Sequence, residues 1–478
     1  MKTTKPIILS VIMLVLLSTP AARSQSIAAN QIEGIWLGAI KAGSIELRIV
    51  FHISFRPGGV YSATMDSPDQ GATGIPVSLV TFAEGKLRLD VKAASAVYEG
   101  VLQPDGNTMA GQWQQSGMSF PLELKRTEKP IESAQRPQEP QKPYPYLEKE
   151  VTYENAAAKI TLAGTLTQPE GAGPFPAVIL ITGSGAQDRD ETVFGHKPFW
   201  VLADYLTRRG IAVLRVDDRG VGGSTGEIAK ATSQDFAQDV RCGIEYLRSL
   251  PEINGRQIGL LGHSEGGIIA PMVAGETSDV AFIVLLAGTG ITGEEILYLQ
   301  GALINQASGA TPEIVALNRK IQQMLFTITK QEKDNKMAQE KIKQALSDLI
   351  ATLPAEQKKA LEPMLQAQEA QFQAVLSPWF RFFLTYDPKP TLRRVKCPVL
   401  ALNGEKDLQV PPKENLKAIE ESLQAGGNKS FTVKELANLN HLFQTCQTGL
   451  PLEYSKIEQT FAPEALKIIG DWILQQMK

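Results

Sequence analysis

Gly262-His263-Ser264-Glu265-Gly266 sets a serine between two glycines, where an apolar run (257–261) gives way to a small-residue helix start (267–274). A serine on so tight a strand-to-helix turn takes a strained backbone. The glycines on either side let the neighbouring chain pass close while Oγ projects from the sheet edge. The chemistry this suits is nucleophilic attack by Ser264. A serine hydroxyl is a weak nucleophile until an imidazole takes its proton, and the imidazole needs a carboxylate to fix its tautomer. The chain has four histidines, His52, His196, His263 and His441. With partners following in the order serine, acid, histidine, only His441 can be the base. It lies just past the strand-like run 431–436. The acid is expected on loop 403–412, which leaves the buried strand-like run 398–402. Asp407 is the first choice because a short aspartate suits a rigid turn, and Glu405 is the alternative.

The elements that must position these groups carry a resemblance. From about Glu148 onward the chain resembles a bacterial secreted α/β-hydrolase, a serine esterase with a Gly-His-Ser-Glu-Gly-Gly elbow. The resemblance implies an α/β fold, a mostly parallel sheet flanked by helices, with Ser264, Asp407 and His441 as the triad. That family's first strand ends in an oxyanion loop, often of His-Gly type. Here the strand 177–181 runs into Thr182-Gly183-Ser184-Gly185-Ala186, with Thr182 where the histidine would stand. Backbone N–H groups do the work in such a loop, so an oxyanion hole is expected from the Glu265 amide plus one of Ser184, Gly185 or Ala186. Helix 200–209, strand 211–216, the loop from Asp217 to Ser224 and helix 234–250 fit the same architecture. Asp217, Asp218 and Arg219 are expected to hold loops behind the oxyanion turn.

The rest of the chain divides by composition. Residues 1–24 read as a secretory signal peptide, with Lys2 and Lys5 before the apolar run 7–17 and Ala22-Arg23-Ser24 as a cleavage site. This predicts an exported, periplasmic or extracellular protein. The apolar run is too short for a stable membrane span. Residues 25–126 alternate in short runs (45–53, 60–64, 87–91, 96–102) between turn signals, as in a small antiparallel β domain. Residues 127–146 hold five prolines and read as a semi-extended linker. Residues 147–478 form the expected catalytic domain, with a helical insertion at about 294–387 placed to act as a lid. Where that insertion returns, the run from Pro378 to Tyr386 nominates Trp379, Phe380 and Phe383 as pocket residues.

Losing residues 1–24 removes Lys2, Lys5 and Arg23 and no acidic residue, so the formal charge goes from −3 to −6. A mildly acidic chain without a basic patch is a poor nucleic-acid binder. Cys242, Cys397 and Cys446 are too widely spaced for a disulfide framework or zinc site and read as small buried hydrophobes, with a Cys397 to Cys446 bridge as the alternative. Gly288-Thr289-Gly290-Ile291-Thr292-Gly293 spells a dinucleotide pattern, but a helical insertion follows it instead of a second strand with an acidic end. The chemistry therefore calls for no metal and no organic cofactor, and the sequence leaves the oligomeric state open. The expected reaction is hydrolysis of short-chain carboxylic esters, either small molecules or carbohydrate-linked, through an acyl-enzyme. The alternatives are a serine exopeptidase of the prolyl oligopeptidase kind and a non-catalytic binding protein on the same fold. The β domain, whose candidate roles are glycan or lipid binding or spacing, is expected to be dispensable for chemistry. A chain shortened to begin near Pro143 would keep its turnover on small esters.

Overall fold

The computed structural model describes residues 31–42, 45–115, 118–128, 135–355, 357–358, 372 and 374–477. The expected signal segment, 1–24, lies outside the described residues, as do residues 129–134 of the expected linker and parts of the helical insertion.

The first sheet is an antiparallel array of β1 (Gly34–Ala42), β2 (Ile45–Arg56), β3 (Val60–Ser67), β4 (Ala72–Pro76), β5 (Leu79–Ala83), β6 (Lys86–Val91), β7 (Ala96–Leu102), β8 (Thr108–Gln115) and β9 (Met118–Thr127). Its order is β4-β3-β2-β1-β9-β8-β7-β6-β5. Alternate residues point inward to a core that includes Trp36, Phe51, Tyr98 and Trp113. In a flat sheet Phe51 on β2 and Tyr98 on β7, four strands apart, would stand roughly 19 Å from each other. Their ring centroids are 6.1 Å apart. The sheet therefore curls over on itself around these rings.

The second sheet comprises β10 (Tyr146–Asn155), β11 (Ile160–Pro169), β12 (Phe175–Ile181), β13 (Ala212–Val216), β14 (Ile253–His263), β15 (Ile283–Leu286), β16 (Val399–Gly404) and β17 (Phe431–Leu436). The order is β10-β11-β13-β12-β14-β15-β16-β17. Pairing is antiparallel from β10 through β11 to β13 and parallel from there on. Helices cover both faces, so a strand such as β12 is apolar throughout. Ala177, Ile179 and Ile181 join the core on one side, and Val178 and Leu180 the core on the other. The parallel strands all end at one edge of this sheet, and the loops carrying chemistry leave from there.

Between β15 and β16 run the helices Gly293–Ala307, Pro312–Gln331, Asn335–Ala351 and Pro378–Thr385. They have a small core of their own that includes Ile321, Ile342, Leu346 and Phe372. Arg381 ties them together by donating to the carbonyls of Thr329 and Glu332 and to Asn335 Oδ1. The glycine pattern at 288–293 serves packing here. The Gly290 amide donates to Asn415 Oδ1 at 2.9 Å, and Gly293 opens the first of these helices. Cys242, Cys397 and Cys446 are free thiols, so the Cys397 to Cys446 bridge is not formed.

Candidate active site

Ser264 stands between β14 and the helix Gly266–Ala274 with φ +53°. A non-glycine residue there costs on the order of 1–3 kcal/mol and persists only where its surroundings over-determine it. The constraints are visible. A Cβ on Gly262 would meet the Gly266 carbonyl oxygen at 2.0 Å, and one on Gly266 would meet that of Ile181 at 2.2 Å. The Ser264 amide donates to the Leu286 carbonyl of β15 at 2.9 Å.

Asp407 and His441 come from the loops after β16 and β17. Asp407 Oδ2 lies 2.8 Å from His441 Nδ1, and its Oδ1 accepts from the amides of Gln409 and Val410, each at 2.8 Å. Both side chains are buried. With Nδ1 engaged, Nε2 is the remaining ring nitrogen of His441. Asn440 shapes this turn by accepting from the amides of Leu442 and Gln444. Glu405, the alternative acid, is exposed and accepts from the Asn438 amide at 2.8 Å. Its position at the start of the loop turns it away from the imidazole.

Three carboxylates, Glu191 and Glu265 buried and Asp218 half-buried, fix the segment after β12. Asp218 accepts from Thr182 Oγ1 at 2.8 Å and the Gln187 amide at 3.0 Å. Glu191 Oε1 accepts the Gly183 amide at 2.6 Å. Glu265, adjacent to the nucleophile, takes Ser233 Oγ at 2.6 Å and Trp379 Nε1 at 2.8 Å. Burial raises the Glu265 carboxyl above its ordinary range. Asp217 and Arg219 brace the same loops, Asp217 pairing with Arg189 at 2.7 Å and Arg219 with Asp239 at 2.8 Å.

Burial pushes Asp218 up to about 7, with the charges of Glu265 and Glu191 adding to it. The unfolded carboxyl titrates at 3.8, so between these values the folded chain holds a proton that the unfolded chain has released. This contribution to stability is fully present below 3.8 and is lost as pH rises through about 7. Asp218→Asn keeps the shape and cannot ionise. Thermal melts should show a smaller fall in Tm from pH 5 to pH 8 in the variant than in the parent chain, and equal falls would contradict this assignment.

His263, the elbow histidine, is a brace. Its Nδ1 lies 2.9 Å from Glu191 Oε1 and its Nε2 2.9 Å from the His441 carbonyl oxygen. Burial disfavours the charged ring, but the charge and hydrogen bond of Glu191 outweigh it and leave the imidazole raised above its ordinary value.

Ser264 and His441 line one cavity of about 390 Å³ together with Gly183, Ser184, Glu265, Trp379 and Phe383. Its outer wall includes Val193, Phe194, Ile296, Leu297, Leu442 and Tyr454. Trp379 and Phe383, one helical turn apart, stack with centroids 5.2 Å apart. Phe380 points elsewhere, about 100° around the helix from Trp379. It packs edge-on against Phe326 at 5.8 Å and is absent from the cavity wall. Gly185 and Ala186 likewise border a neighbouring cavity and not this one.

Residues 159–437, more than half of the chain, match the family described as X-Pro dipeptidyl-peptidase (S15 family). The chain belongs to the S15 family. It is also 24% identical over 318 residues to esterase EstD of Thermotoga maritima, a match covering 66% of this chain and 64% of that one, less than two thirds of the relative's length. Among solved structures, an esterase of Pyrococcus furiosus is similar at 16% identity and TM-score 0.42, over 73% of this chain and all of that one. A dienelactone hydrolase of Anabaena variabilis is similar at 15% identity and TM-score 0.38, over 70% of this chain and 99% of that one. The strand order, with its run of parallel strands and Ser264 on the turn after β14, gives this S15 chain the α/β-hydrolase fold.

Sequence reasoning did not find Glu191, the carboxyl of Glu265 or Tyr454 as parts of this S15 site. Glu191 had a signal, since Asp188-Arg189-Asp190-Glu191 is a charged run directly after a strand that ends at the chemical edge of the sheet. The others act through contacts distant in sequence.

Proposed function

We propose that this chain hydrolyses carboxylic esters with short acyl groups by acyl transfer through Ser264. His441 takes the Ser264 proton, with Asp407 holding its Nδ1–H. The oxyanion is stabilised by the amides of Glu265, at the helix N-terminus, and of Ser184. Ser184 is favoured as second donor because it borders the same cavity as Ser264, whereas the Gly183 amide is already given to Glu191. His441 then protonates the leaving alcohol, and water repeats the sequence on the acyl-enzyme. The helices between β15 and β16 act as the lid, a role supported by Ile296, Leu297, Trp379 and Phe383 in the cavity wall. Export is supported by the charge and apolar pattern of residues 1–24.

One observation carries the choice of a neutral ester. The cavity wall joins an aliphatic and aromatic side, including Val193, Phe194, Ile296, Leu297, Trp379 and Phe383, to neutral polar groups such as Gln187, Gln300 and Gln409. Of the carboxylates bordering it, Glu265 is taken by Ser233 and Trp379, and Glu191 holds Gly183 and His263 through Oε1 while its unpartnered Oε2 is buried out of reach of solvent. An exopeptidase acting on X-Pro dipeptides, the reading favoured by the family's description, must seat a free ammonium on such a carboxylate. A series of p-nitrophenyl esters assayed beside X-Pro p-nitroanilides separates the two. Short-chain esters should exceed the anilides in kcat/KM by at least a hundredfold. The reverse ranking would make the chain a peptidase, and no turnover of either would make it a binding protein.

A further inference from the structure

The stretch before β10, expected as a spacer, carries Arg136, whose guanidinium is spent on backbone carbonyls drawn from distant parts of the chain. Nε donates to Gly195 O at 3.1 Å, and Nη2 to Phe194 O at 3.0 Å and Ser455 O at 3.1 Å. Nη1 donates to Ile457 O at 3.0 Å and Gln135 O at 3.2 Å. Two residues on, Gln138 accepts from the amides of Thr460 and Phe461 at 2.6 and 3.0 Å and returns a bond to Phe461 O at 2.7 Å.

The two segments clamped here make adjoining parts of the cavity wall. Phe194 and Tyr454 both line it and meet edge to face at 5.6 Å. Between them His196, pushed down to about 4 by burial and so neutral, joins Thr460 Oγ1 and the Tyr454 carbonyl, each at 2.9 Å. Phe194 also has φ +51°, a conformation a bulky residue keeps only under constraint. The first sheet adds to that constraint. Gly71, at φ +65° beyond a turn pinned by Arg48 to Asp69 at 2.8 Å, packs so tightly that a Cβ on it would meet Gly195 N at 2.0 Å.

We propose that Arg136 is a positioning residue. It locks the Phe194–Gly195 and Ser455–Ile457 backbones together, and the strap between the two sheets thereby sets which acyl or alcohol groups the cavity admits. Chemistry at Ser264 needs no direct contact with Arg136, so loosening the clamp alters selection more than turnover. The chain shortened to begin near Pro143 loses Arg136 and Gln138 with the first sheet, so its expected full activity holds only for the smallest esters.

The inference rests on the ester reading, and the test keeps the two separable. In full-length Arg136→Ala, deuterium exchange should rise in residues 191–197 and 454–461 and not in β12, β14 or β16. The ratio of kcat/KM between p-nitrophenyl octanoate and acetate should shift at least tenfold, mainly through KM. Gly71→Ala, acting from the first sheet, should move exchange in 191–197 in the same direction. Arg136→Lys, with one cationic point in place of the planar fork, should reproduce much of the effect and serves if the alanine variant does not fold. Exchange confined elsewhere, or a chain-length ratio unchanged while both rates fall with Tm, would overturn the proposal. A parent chain that turns over no ester would sink the ester reading, while the exchange comparison would still decide the clamp.

Discussion

Ser264→Ala should lose roughly a million-fold in turnover on any ester the parent chain hydrolyses, because removing the nucleophile of a triad disables the unit as a whole. The fold should survive. The alanine removes one oxygen from a side chain on the cavity wall, and the strained φ of +53° is held by close packing at Gly262 and Gly266 and by the bond to Leu286. Labelling by a fluorophosphonate should vanish with the activity. Undiminished labelling of the alanine variant would move the nucleophile to another residue.

Asp407→Asn should cut turnover by roughly four orders of magnitude. The reason lies in how the carboxylate is held. Oδ1 takes two backbone amides, so an asparagine keeps its oxygen there and must turn Nδ2 toward His441 Nδ1, where Oδ2 now sits at 2.8 Å. An N–H facing Nδ1 forces that nitrogen to accept, and the imidazole proton moves to Nε2. A base carrying its proton on Nε2 cannot take one from serine. Glu405→Gln removes a charge from an exposed side chain bonded to the Asn438 amide and should change turnover less than threefold. Steady-state kinetics of both variants, with circular dichroism to check the fold, decides between them. The opposite ranking would give the role to Glu405.

The elements that carry the site were legible because their physics is local. β12 and β16 are buried parallel strands whose hydrophobic stretches (177–181 and 399–402) stand out in the sequence, and β17, an edge strand with only Leu436 buried, was predicted at the bounds observed. The elbow announces itself by glycines whose Cβ atoms could not be accommodated. Boundaries were less legible. The helix predicted at 200–209 begins at Pro198, where a fixed φ and a missing amide suit the first turn, and β14 starts at Ile253, before the apolar run, because it also pairs with Phe175. β4 and β5 are short and lack fully buried residues, so alternation gave no signal. The direction of Phe380 depends on which face of its helix meets the cavity, and Arg136 bonds to carbonyls 319 and 321 residues away. Side-chain bonds to distant backbone leave no periodic trace in a sequence.

The account stands on a covalent intermediate at one oxygen. Mixing the protein with p-nitrophenyl butyrate, quenching in acid within the first turnover and mapping the adduct by peptide mass spectrometry reads it directly. The expected result is a single butyryl group on the peptide containing Ser264, with its level rising when Asp407→Asn slows deacylation more than acylation. Butyryl on any other residue, or rapid nitrophenol release with no adduct on Ser264, would contradict acyl transfer through this serine.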